Sequence, residues 1–345
     1  MKMTFRWYGE GDSIPLSYIR QIPGMTGVVT AVYDVPVGEV WEREKIARLK
    51  ALCDREQLEM AVIESVPVHE DIKLGRPTRD RLIENYAQTV RNLGKFGVKC
   101  VCYNFMPVFD WLRTNLHTPA PDGSNSLSYR HAELMALDPH DLHLPGWDES
   151  YTPAELRGLL DAYSGMTHEK LFGNLVCFLR GILPACREAG INMAIHPDDP
   201  PWDMFGLPRI ITGRESYLRL FEAVPERENG ITFCTGSLGA GRENDLPALA
   251  REFADRICFA HLRQIRFEGE RDFCECGHRT DAGSLDMLAI VEALADGGFD
   301  GYVRPDHGRN IWDEDGKPGY GLYDRALGAC YLSGLFEAVE RRGKR

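Results

Sequence analysis

The sequence lacks any apolar run approaching the 18 or more residues of a membrane span. Its N-terminus, MKMTFRWYGEGD, lacks the apolar stretch of an export signal, so a cytoplasmic location is expected. It lacks an excess of positive charge: 40 Lys and Arg stand against 52 Asp and Glu, a net charge of −12. Nucleic acid and anionic membrane surfaces are therefore not expected partners. With 43% hydrophobic and 27% charged residues, it lacks the bias of a disordered or fibrous chain. No G-x-G-x-x-G follows the first apolar run, which leaves a dinucleotide-binding fold without support. The ten cysteines form no framework of pairs, and several sit in apolar runs such as VKCVCYNF and ICFAHL. They read as reduced thiols, mostly small hydrophobes. CECGH (274–278) has no second cysteine pair at zinc-finger distance, so a structural zinc is not expected there.

What is present is a rhythm. Apolar, β-branched runs at 5–9, 26–35, 58–65, 99–107, 192–198, 230–236, 257–263 and 302–308 read as strands. Segments of helical period follow each of them, at 15–22, 39–57, 79–96, 170–189, 213–224, 245–255, 284–295 and 323–342. In 79–96, for example, Leu82, Ile83, Tyr86, Val90 and Leu93 recur at spacings of 3 and 4. Strict alternation predicts an α/β fold, and eight units favour a closed (β/α)8 TIM barrel over an open sheet. Two stretches interrupt the rhythm: 108–167, rich in His, Pro, Asp and Gly, and the polar 264–283. Both follow the C-terminal end of a strand, which in a barrel is the active-site face. No Pro/Ser-rich linker divides the chain, so residues 1–345 are expected as a single domain with long loop insertions.

Four successive strands end in residues that ligate metals: His196, Cys234, His261 and Asp306. Any one alone has a plainer explanation. A strand-end histidine is more often hydrogen-bonded than ligating, and a lone cysteine is usually a buried hydrophobe. Together, at converging barrel strand ends, they point to Mn²⁺, Fe²⁺, Co²⁺ or Zn²⁺, because a thiolate is too soft for Mg²⁺ or Ca²⁺. Period 2 puts Arg263 on the face of His261 and Arg304 on that of Asp306, where a guanidinium can hold a carboxylate or sugar hydroxyl. His307, next to Asp306, is a candidate general acid or base, with its direction open because the strand is ending. PGYGLY (318–323) supplies Tyr320 and Tyr323 just before the last helix. The acids of HPDDPPWDMFG (196–206) either bind a ligand or cap turns, and His140 and His143 of DPHDLHLPGW (138–147) read as solvated loop residues.

The segments FRWYG, IRQIPG (19–24), SLSYRH (126–131), AIHPDDPP (194–201), FCTGSLG (233–239), FAHLRQI (259–265), RPDHGR (304–309) and PGYGLYDRALG (318–328) together resemble the mannonate dehydratase family. The likeness runs from Phe5 to Leu335 in one order. It implies a xylose-isomerase-like barrel and a metal-dependent hydro-lyase of hexuronate (glucuronate) catabolism. D-mannonate would lose water to give 2-dehydro-3-deoxy-D-gluconate. It implies Mn²⁺ as the usual metal, with Fe²⁺ or Co²⁺ as alternatives, held by His196, Cys234, His261 and Asp306. His307 and a tyrosine, Tyr320 in preference to Tyr323, become the acid and base. Arg263, Arg304 and Trp7 become substrate-binding residues. A cation on the substrate carboxylate would stabilise the enediolate-like charge formed when C2 loses its proton. A homo-oligomer, dimer or higher, is expected, with a small sugar acid as substrate. The rival readings are a dehydratase of another aldonate, a metal-dependent sugar isomerase or epimerase on the same barrel, and a sugar-acid-binding protein without catalysis.

Overall fold

The structure is a computed structural model that describes residues 1–138 and 152–342. The chain forms strands β1 (Lys2–Arg6), β2 (Met25–Thr30), β3 (Glu59–Glu64), β4 (Cys100–Tyr103), β5 (Asn115–Pro119) and β6 (Asn125–Tyr129). It continues with β7 (Asn192–Ile195), β8 (Asn229–Cys234), β9 (Ile257–Leu262), β10 (Gln264–Phe267), β11 (Phe273–Cys276) and β12 (Tyr302–Pro305). Eight of these close a barrel in the order β1-β12-β9-β8-β7-β4-β3-β2, each pair parallel. Every barrel strand is followed by a helix on the outside, from Leu16–Arg20 after β1 to Tyr323–Arg342 after β12. This is the expected (β/α)8 architecture.

The strands are apolar because both faces are covered. Their outer side chains and the helices make one large core, to which Arg79–Gly94 contributes Leu82, Ile83, Tyr86, Val90 and Leu93. Val29, Ala61, Val62, Cys100, Cys102, Ala194, Phe259 and Tyr302 form a second, smaller cluster drawn from six strands. Phe259 stands edge-on to His261 two residues along the same strand, with ring centroids 4.6 Å apart. The apolar plug therefore abuts the functional residues at the strand ends.

Two expectations need correction. The first strand is Lys2–Arg6 rather than 5–9. Asp12 accepts a hydrogen bond from the Tyr8 amide at 2.7 Å, and Gly9 adopts φ +80°, so the chain turns where the apolar pattern extends the strand. The insertions are also not plain loops. β5 and β6 from the first pair with β10 and β11 from the second, in an antiparallel sheet of order β10-β11-β6-β5. His140 and His143 lie outside the described residues.

Candidate active site

Cys234 and His261 are register partners across β8 and β9, and His261 and Arg304 across β9 and β12. His196 and Asp306 each sit one residue past the end of a strand. Parallel strands in register thus bring four sequence-distant residues to one height. His196, Cys234 and His261 each offer a ligand atom, all within 4.8 Å of one another. Asp306 stands beside them, its Oδ2 3.7 Å from Cys234 Sγ and 3.9 Å from His261 Nδ1. The His196 Nδ1 lies 2.7 Å from the Pro197 carbonyl oxygen, which fixes the ring and leaves Nε2 for a ligand.

The electrostatics suit a cation. Burial opposes a thiolate at Cys234, but Arg263 and His196 overcome it and hold the thiol well below its ordinary value. Burial likewise opposes charge on His196, and the Cys234 thiolate nonetheless raises it to about 9. His261 Nε2 is buried without a hydrogen-bond partner, 3.5 Å from Glu64 Oε2. Glu64, Cys102 and His261 make a second, overlapping group of ligand type. Burial pushes the Cys102 thiol well above its ordinary value, whereas the Cys234 thiol is held well below its own. Two imidazoles, a thiolate and a carboxylate, one imidazole nitrogen unpartnered, fit a divalent transition metal.

Buried ion pairs surround this group. Arg263 binds Asp199 at 2.6 Å and Asp306 at 3.0 Å. Arg304 binds Asp306 at 2.7 Å and Glu64 at 3.0 Å. Arg113 joins Asp199 at 2.9 Å to Glu275 at 2.6 Å. A glycine is required where Arg263 passes, since a Cβ on Gly236 would fall 1.8 Å from its Nε.

The His307 ring turns inward. Its Nδ1 lies 2.9 Å from both Glu275 oxygens, and its Nε2 lies 2.9 Å from the Tyr320 hydroxyl. Arg263 Nη1 is 3.0 Å from the same Nδ1, but it has Asp306 as an acceptor. A carboxylate accepts only, so Nδ1 carries the proton and Nε2 is free to accept from Tyr320. Burial and the nearby Tyr8 push the Tyr320 hydroxyl well above its ordinary value, against the pull of Arg304.

A cavity of about 340 Å³ opens onto these groups. Arg6, Tyr8, Glu64, His196, Asp199, Arg263, Arg304, Asp306, His307, Lys317 and Tyr320 all line it. A larger cavity of about 580 Å³ shares Ser65, Asn104 and Asp110 with it, but none of the ligand or acid–base candidates lines that one. Tyr323 is 42% exposed and packs on Trp312, away from His307, which leaves Tyr320 as the tyrosine of the site. Trp7 does not line the cavity. Its indole is buried in the core, and its neighbours Arg6 and Tyr8 face inward instead. The two acids after His196 divide the roles weighed for them. Asp198 accepts from the Ile210 and Ile211 amides, while Asp199 holds Arg113 and Arg263.

Sequence reasoning misses Arg6, Tyr8, Glu64, Arg113, Glu275 and Lys317. Glu64 ends a strand as Cys234 does, and that rule would have found it. Glu275 carries no such signal, because it reaches the site from the antiparallel sheet.

A family model for D-mannonate dehydratase (UxuA) matches residues 1–345. A mannonate dehydratase of Thermotoga petrophila is 53% identical over 359 aligned positions, covering 100% of this chain and 99% of the relative. The crystal structure of mannonate dehydratase from Streptococcus suis serotype 2 superposes with a TM-score of 0.93 at 48% identity, covering 100% of this chain and 95% of that one. A xylose isomerase domain protein of Planctomyces limnophilus, 13% identical, superposes with a TM-score of 0.55 over 99% of this chain and 98% of its own, a likeness of barrel fold alone. Both sequence and fold agree along the whole length, and the chain belongs to the D-mannonate dehydratase family.

Proposed function

We propose that the protein removes water from D-mannonate to give 2-dehydro-3-deoxy-D-gluconate, acting in hexuronate catabolism. The family is metal-dependent. We assign the metal to His196, Cys234, His261 and Asp306, with Mn²⁺ as the usual ion and Fe²⁺ or Co²⁺ as alternatives. When bound, the ion supplies Lewis acidity to substrate oxygens and favours negative charge developing at C2. Residues 1–345 work as one catalytic unit in this reading. A reducing cytoplasm suits its ten unpaired cysteines, and none of the described helices is long and apolar enough to cross a membrane.

The observation that carries the reading is the Glu275–His307–Tyr320 chain opening on the same cavity as the ligand set. Elimination needs a base for the C2 proton and an acid for the departing C3 hydroxyl. His307, oriented by Glu275, suits the base. Tyr320, kept protonated by its burial, suits the acid. The C2–H electrons form the C2–C3 double bond, the C3–O bond breaks, and the hydroxyl leaves as water with the tyrosine's proton. The resulting enol loses its C2 hydroxyl proton to the Tyr320 phenolate and gains one at C3 from the His307 imidazolium, which gives the 2-keto acid and restores both side chains. His307→Asn tests the assignment: metal content is expected to stay at the wild-type level while turnover is nearly abolished. Loss of the metal in that variant would make His307 a ligand and overturn its role as base.

A further inference from the structure

Three arginines line the cavity: Arg6, Arg263 and Arg304. Arg263 and Arg304 are each matched by two carboxylates, at 2.6–3.0 Å. Arg6 is different. It is only 8% exposed, yet among the described residues no carboxylate lies within ion-pair distance of it. Among the described residues its side chain makes one hydrogen bond, a long one from Nη1 to the Val29 carbonyl oxygen at 3.5 Å. A guanidinium carries five N–H donors, and a buried cation without an anion is costly to keep. Lys317 lines the same cavity, and no ion pair among the described residues involves it. Its Nζ lies 4.0 Å from the Tyr8 ring centroid, and the Arg6 guanidinium carbon lies 4.6 Å from the same centroid. Two mutually repelling cations are thus gathered on one tyrosine in a chain whose net charge is −12.

We propose that Arg6 and Lys317 form a receptor for the substrate's carboxylate, and that this receptor selects aldonates over neutral sugars of the same length. The inference rests on the proposed reaction and deepens it. It explains why an acid and not an aldose or alditol enters a site whose other arginines are already neutralised. A carboxylate has two oxygens, so contact with Arg6 leaves the second free for another group lining the cavity.

The test uses the metal-loaded enzyme with D-mannonate as substrate, and D-gluconate and neutral D-glucitol as competitors. Arg6→Met is expected to raise the KM for D-mannonate and the Ki for D-gluconate at least about tenfold, the loss of one charge-assisted contact. The Ki for D-glucitol should move less than about twofold, and Arg6→Lys should recover part of the loss. Lys317 is exposed at the mouth, so Lys317→Met is expected to fold normally and to raise the same acid constants by a smaller factor. Unchanged acid constants in both variants, or an equal rise for D-glucitol, would overturn the proposal. Calorimetric binding of D-gluconate against D-glucitol separates the two readings. If the wild-type enzyme fails to dehydrate D-mannonate, the reaction is wrong, while a preference for the acid that Arg6→Met abolishes still upholds the receptor.

Discussion

Replacing Glu275 with glutamine changes the proposed catalytic hydrogen-bond chain Glu275–His307–Tyr320 without changing its shape. Glu275 is buried, and its Oε1 accepts from Arg113 Nε at 2.9 Å and Nη2 at 2.6 Å. Both of its oxygens face His307 Nδ1 at 2.9 Å. In the Glu275→Gln variant the remaining side-chain oxygen, which serves Arg113, is itself 2.9 Å from Nδ1 and can still accept from it. What is lost is the negative charge beside Nδ1, and the new amide nitrogen sets a second donor 2.9 Å from it. Both changes weaken the hold on the tautomer that leaves Nε2 as the base and disfavour the positive charge that the imidazole gains on taking a proton. A hydrogen bond to a charged group contributes about 1.5–3 kcal/mol, equivalent to a fall in kcat of about 10- to 100-fold. KM and metal content should hold, because Glu275 touches neither the ligand set nor Arg6. Glu275→Asp, which keeps the charge, should recover part of the rate. The assay is initial-rate formation of 2-keto-3-deoxy acid, with metal counted by elemental analysis. A kcat within twofold of wild type, or a loss confined to metal content, would refute the reasoning.

Other perturbations follow from the same geometry. Cys234→Ser removes the thiolate that Arg263 and His196 stabilise, and metal affinity should fall by more than the roughly 10- to 100-fold typical of losing an outer partner; equilibrium dialysis measures it. Gly236→Ala would set a methyl group 1.8 Å from Arg263 Nε, displacing the guanidinium from Asp199 and Asp306. Misplacement on that scale should lower kcat/KM by about 100-fold, read in the same assay. Burial favours neutral Glu275, yet its close partner His307 and the guanidinium groups of Arg113 and Arg263 lower its carboxyl from 4.5 to about 2. A carboxyl lowered in the folded state stabilises the fold above its unfolded value and loses that contribution as pH falls through the folded one. Urea midpoints of the wild type should therefore drop between pH 4.5 and 2, with a smaller drop in Glu275→Gln.

The parts legible in the sequence are those that repeat with the fold. Apolar runs and helical stripes mark eight βα units. Ligand-type residues at the ends of four runs mark the proposed metal site, because parallel strands in register leave their ends at one height. Phase is harder to read than period. The family resemblance puts Trp7 at the substrate, but Trp7 falls just past the end of β1 with its indole in the core, while its neighbours Arg6 and Tyr8 line the cavity. Glu275 and Arg113 are illegible for another reason. Glu275 lies on β11 and Arg113 just before β5, and the pairing of β6 with β11 that unites their sheet joins segments far apart in the chain. Nothing local announces that NSLSY and FCEC will share a sheet, or that the sheet will carry a carboxylate to His307.

The most direct measurement is a reconstitution assay. Protein stripped with chelator under reducing conditions is supplied with Mn²⁺ and D-mannonate, and 2-keto-3-deoxy acid is followed. The account predicts product only with the metal restored, and none when His307→Asn replaces the wild type at equal metal content. Product formed equally well by the stripped protein, or no product from fully metal-loaded wild type, would contradict it.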